Sequence, residues 1–171
     1  TWQRSSSKSS WEAYPTAQNE ILRLTQSQVG YSYRAVVSYV DTHGTREVLY
    51  TSPSETIDNL DDPVQGEVSI VGEPKEGVTL RALSDSLSDE DGIASISISW
   101  ETSKDGRNWV GLNSLSGPVL QLNQSLVGSQ VRARVAVVDN FGIETNLYSQ
   151  ATRTIENAVS YTHLRAHETL P

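Results

Sequence analysis

The chain has 171 residues, 36% of them hydrophobic, and a formal net charge of −8. That balance suits one or two small soluble domains and argues against nucleic-acid binding, because an acidic surface repels phosphate. No apolar run approaches the roughly 18 residues of a membrane span, and zero Cys removes disulfides, thiolate metal sites and thiol nucleophiles.

No signal peptide opens the chain, and it contains no Met, so an internal fragment of a longer polypeptide is expected. Small eukaryotic secreted domains usually carry disulfides. A Cys-free acidic β protein outside a cell therefore points to a bacterial source.

In chain order, SSSKSS (5–10) has the composition of a linker and lies between Trp2 and Trp11. NLDDP (59–63) brings Asp61 and Asp62 together. EVSIVG (67–72) and VTLRAL (78–83) alternate apolar and polar residues around EPKEG, predicting two strands and a turn. LSDEDGI (87–93) then packs Asp89, Glu90 and Asp91 into consecutive positions before Gly92. Alternation over 94–101 predicts a strand with Ile96, Ile98 and Trp100 on one face. SKDGRN (103–108) holds the Asp-Gly hairpin signal and leads into WVGL. VLQL (119–122) is a short strand. VRARVAVV (131–138) places Val131, Ala133, Val135 and Val137 on one side. DNFG (139–142) turns the chain at Asp139, and LYSQATRTI (147–155) is expected to close the sheet. No helix longer than one turn is expected, and that turn falls near 123–127.

Self-comparison reveals a duplication. Pairing residues 2–60 with 100–158 gives 20 identities in 59 positions at a constant offset of 98, without a gap. Trp2 and Trp11 match Trp100 and Trp109, LTQSQVG (24–30) matches LNQSLVG (122–128), and RAVVSYVDTHG (34–44) matches RARVAVVDNFG (132–142). Residues 1–60 therefore read as the back half of one repeat lacking its opening strands, and 61–158 as a complete copy. The alignment also moves SSSKSS from a linker onto the SKDGRN hairpin. Residues 159–171 (VSYTHLRAHETLP) break the pattern and resemble the translation of a transposase adapter used in preparing sequencing libraries. They are excluded from fold reasoning, and with them the H-x3-H pair His163 and His167.

About seven short strands at turn spacings of 8 to 12 residues predict an all-β chain of tandem immunoglobulin-like, Greek-key β-sandwich repeats, the first truncated. Trp100 sits where such sandwiches keep a core Trp. The order of GEVSIVGEPKEGVTL (66–80), DEDG (89–92), WETSKDG (100–106), LNQSLVG and RARVAVVDNFG resembles the tandem immunoglobulin-like and cadherin-like repeats of large bacterial surface adhesins. NLDDP resembles the linker between such repeats. The resemblance covers 2–158 and rests on several short motifs in order. It implies extended stalks for attachment and biofilm formation, often with calcium at repeat junctions.

Within such a sandwich, the loops holding Asp89, Asp91 and Asp139 lie at the end where the chain enters through Asp61 and Asp62. These five carboxylates are the candidate metal ligands. Ca²⁺ takes six to eight hard oxygen ligands and would offset their mutual repulsion. The competing reading is a set of solvated turns, since Asp and Gly are ordinary turn formers. Glu90 is expected to point outward, and Glu76, at the opposite end, to serve a following junction. Trp109 and Trp11 invite a sugar-stacking reading against a packing one, while Trp2 and Trp100 are assigned to the core. No nucleophile elbow is present, and the turn residue His43 is matched by Phe141, so no enzyme activity is expected. The functional expectation is an extracellular extender repeat of a bacterial adhesin, rigidified by Ca²⁺ at the inter-repeat junction. Its partners would be neighbouring repeats and cell-surface or polysaccharide ligands, without nucleic acid or membrane insertion. The alternatives are an accessory carbohydrate-binding module of a secreted polysaccharide-degrading enzyme and a metal-free spacer.

Overall fold

β-Branched and aromatic residues at every second position favour extended pairing, and the computed structural model, which describes residues 1–15 and 20–158, is built of antiparallel strands. Among the described residues no helix is long and apolar enough to cross a membrane. The chain divides into two units, with the boundary between Asp61 and Asp62.

The second unit contains β5 (Ser69–Val71), β6 (Thr79–Leu83), β7 (Ile93–Ser103), β8 (Val110–Ser116), β9 (Val119–Gln121), β10 (Gln130–Asp139) and β11 (Glu144–Tyr148). β5, β6 and β9 form one sheet in the order β5-β6-β9, and the rest form another in the order β11-β10-β7-β8. One buried cluster draws Leu80, Ala82 and Leu120 from the first sheet and Trp100, Val131, Ala133, Val135 and Val137 from the second. The unit is thus a two-layer β-sandwich. The strict alternation of β10 makes this possible, because its period of two sends the whole apolar row inward. Trp100 closes the core with its polar edge satisfied: Nε1 donates to the Gly117 carbonyl at 3.0 Å. Ile96, by contrast, is exposed, so the predicted inner face of β7 is buried only towards its C-terminal end.

The hairpin between β7 and β8 is wider than a two-residue Asp-Gly turn. Asp105 organises it by accepting from the backbone N–H groups of Arg107 (2.9 Å) and Asn108 (2.8 Å). These donors hold its carboxyl well below the usual carboxylate range.

The closing strand differs from expectation. β11 starts earlier than predicted and stops at Tyr148, because hydroxyls then take over from backbone acceptors. Ser149 Oγ accepts from the Ala133 N–H at 2.9 Å, and Thr152 Oγ1 accepts from the Val131 N–H at 3.1 Å. Backbone bonds from Ser149 and Thr152 still reach β10, and one from Ile155 reaches Ser129 just before it, so the segment follows the strand without joining the ladder.

The first unit holds β1 (Trp2–Ser5), β2 (Glu12–Tyr14), β3 (Ser32–Val40) and β4 (Arg46–Tyr50) in the order β2-β1-β3-β4. Its local bonding follows the same scheme 98 residues earlier. Trp2 pairs with Ala35 as Trp100 does with Ala133. Thr51 and Ser54 hydroxyls accept from the Ala35 and Tyr33 N–H groups at 3.0 and 2.9 Å. Arg34 lies over both Trp11 and Tyr50 at 4.4 Å, and Arg132 over both Trp109 and Tyr148 at 4.3 Å. Gln3 anchors the first guanidinium, and Glu101 the second at 2.6 Å.

Candidate metal centre

The inward row of β10 ends on a carboxylate. After Val131, Ala133, Val135 and Val137 comes Asp139, on the same side and 4% exposed. A β-bulge between Val138 and Asp139 shifts the pairing so that Asp139 stands opposite Ile93. The DNFG turn then closes on Asp139 itself: Oδ1 accepts from the N–H groups of Phe141 (2.8 Å) and Ile143 (2.7 Å).

The LSDEDGI loop delivers a second buried acid to this end. Ser88 bridges to Gln65, pinning the loop's start beside the entering chain. Asp89 Oδ1 accepts from the Asp91 N–H at 2.8 Å, an Asx turn that its two-residue spacing makes available. Gly92 completes the turn at φ +78°, and a side chain there would run into Asn140 of the DNFG loop. The two loops are therefore pressed together.

Asp91 is 4% exposed, and its Oδ2 accepts from the Asp62 N–H at 3.1 Å. One carboxylate oxygen from each of Asp61, Asp91 and Asp139 lies within 4.8 Å of the others. Among the described residues no Lys or Arg pairs with Asp91 or Asp139. Asp91 Oδ1 is buried without a hydrogen-bond partner among the described residues.

This arrangement is costly without a cation. Two ionised carboxylates at such a separation repel by about 3 kcal/mol at an effective dielectric constant near 20, and burial adds to that. A buried polar atom without a partner costs about a further 1–3 kcal/mol. Turn propensity does not explain why such groups would be buried together. The donor set fits a hard divalent ion: it is all oxygen, and the 4.8 Å limit is about twice a Ca²⁺–oxygen bond. One carboxylate oxygen from each of Asp61, Asp91 and Asp139 could hold such an ion. Water would complete a shell of six to eight.

Of the five predicted ligands, Asp61, Asp91 and Asp139 meet. Asp62 and Asp89 stand outside that group and line the adjoining hollow with Glu90 and Gln65. Asp62 acts through its backbone and Asp89 as a loop brace. Glu76 lies in the turn before β6, where its Oε2 accepts from the Ala158 N–H at 3.1 Å beside the segment that leaves β11. Trp109 is half-buried, with the Arg132 guanidinium over its ring. His163 and His167 lie outside the described residues.

No family model, curated protein or solved structure matches this chain.

Proposed function

We propose that the chain carries structural extender repeats of a large bacterial cell-surface or secreted adhesin, with Ca²⁺ bound by the carboxylates at the entry end of a complete repeat. The order of strands in the second unit, β5-β6-β9 over β11-β10-β7-β8, supports an immunoglobulin-like Greek-key module. The 98-residue duplication supports tandem use. Polarity supports extension. The chain enters the unit at Asp62, beside the loop that follows β6, and leaves at Glu156, whose backbone bonds to Pro74 and Glu76 in the turn before β6. Entry and exit thus lie at opposite ends of β6, as head-to-tail stacking requires.

The observation that carries the calcium reading is Asp91 Oδ1, buried and unpartnered where three carboxylates meet. A solvated-turn reading has no use for it. The sugar-binding alternative is less well supported, because Arg132 occupies a face that a sugar ring would stack on. Calorimetric titration of the chelator-treated chain with CaCl2 tests the proposal. One site per chain is expected, lost in Asp91→Asn. Absence of binding heat, together with an unchanged unfolding midpoint in calcium, would make this a metal-free spacer.

A further inference from the structure

The first unit presents the inner face of a sandwich without its second layer. On β10, Val135 and Val137 are fully buried, whereas their counterparts 98 positions earlier on β3, Val37 and Tyr39, are 52% and 48% exposed. Leu122 is buried, and its counterpart Leu24 is 51% exposed. Apolar groups this regularly placed are built to be covered.

The second unit identifies the cover. There the same row packs against Val68, Leu80 and Ala82, contributed by β6 and the segment leading into β5. The dependence shows in the backbone too. β9 is a strand because Thr79, Leu80 and Arg81 pair with it. The corresponding residues 21–23 form no strand, and among the described residues nothing corresponding to β6 precedes them.

The open edge is equally specific. Among the described residues, β3 pairs with β1 only as far as Ala35, where Trp2 stands opposite, and Val36 bonds to Thr1. Beyond it, residues 37–40 bond only to β4. In the second unit the matching residues of β10 pair with 95–98 of β7. A strand filling the gap in the first unit would run directly into Thr1, continuing β1.

We propose that the first unit is an acceptor half-sandwich whose occupant is a layer with the pattern of residues 61–98, joined in series ahead of β1. It would supply a β5–β6 hairpin over Val37, Tyr39 and Leu24 and a strand against the free edge of β3. Its support is the exposed apolar row and the open edge of β3, not a bound metal.

The test extends the full chain at its N-terminus with a second copy of residues 61–98 and follows amide exchange by mass spectrometry. Exchange across 37–40 is expected to slow on the order of 100-fold, and hydrophobic-dye fluorescence to fall. A control extension carries Asp at the positions equivalent to Leu80 and Ala82 and should protect nothing. If the extended chain is poorly expressed, the 61–98 peptide added to the intact chain is a second route to the same protection. Unchanged exchange in both formats overturns the proposal, as does equal protection by the control extension. Concentration-dependent protection of 37–40 in the unextended chain would assign the face to a second copy instead, and would also overturn it.

Discussion

β3 and β10 carry nearly the same apolar row, and the comparison separates two properties that are often merged. Alternation decides which side of a strand a residue occupies; it does not decide whether that side is dry. Val37 and Val135 occupy equivalent positions, each two residues after an Ala, yet one is 52% exposed and the other fully buried. The local devices persist in both units, including the Arg between two aromatic rings, the hydroxyls capping strand N–H groups and the Asp-centred turn. What differs is the opposing layer, which comes from residues distant along the chain. Local hydrogen bonding thus survives the loss of tertiary cover better than burial does.

The largest test of this contrast is Trp100→Ala against Trp2→Ala. Trp100 is fully buried and Trp2 only half-buried. Losing the former should cost about 3–5 kcal/mol, and the latter less than half as much. Exchange protection in β10 and β3 reports each change separately, and equal losses would mean that the second layer adds little to either core.

Next comes the metal. Calcium at 100 times its dissociation constant should stabilise the chain by about 2.7 kcal/mol, read as a rise in urea midpoint. Asp139→Asn should abolish the rise while increasing metal-free stability, because the amide keeps a turn acceptor and removes a repelling charge. Asp41→Asn should leave the rise intact. Asp41 holds the same turn, accepting from His43 and Thr45, but is not among the three converging acids. Loss of the calcium effect in Asp41→Asn would place the ion elsewhere.

The smallest contrast is in the hydroxyl caps. Ser149→Ala strands the buried Ala133 N–H and should cost about 1–3 kcal/mol. Thr51→Ala exposes the Ala35 N–H to solvent and should cost about 1 kcal/mol or less. Exchange rates at Ala133 and Ala35 check the pair directly.

Much of the fold was legible because its signals are local. Alternation located β6, β7 and β10, and VLQL was recognised as a short strand. The end of β11 was missed because Ser149 and Thr152 look like strand residues; their hydroxyls act as acceptors only when β10 lies alongside. Asp139 was legible as a turn former. Its burial was not, because that follows from a bulge and from the loop carrying Asp91. The bracing role of Asp89 was available from its spacing to Asp91, since an Asx turn joins residues two apart.

By itself the sequence determined the duplication, the side of each strand that is apolar and the chemistry of each turn, all set by neighbours within a few residues. Only tertiary structure decided which apolar rows are dry and which three of five acids converge. Burial and ligation both require groups brought from far along the chain, and a repeating local pattern carries no record of whether the distant partner is there.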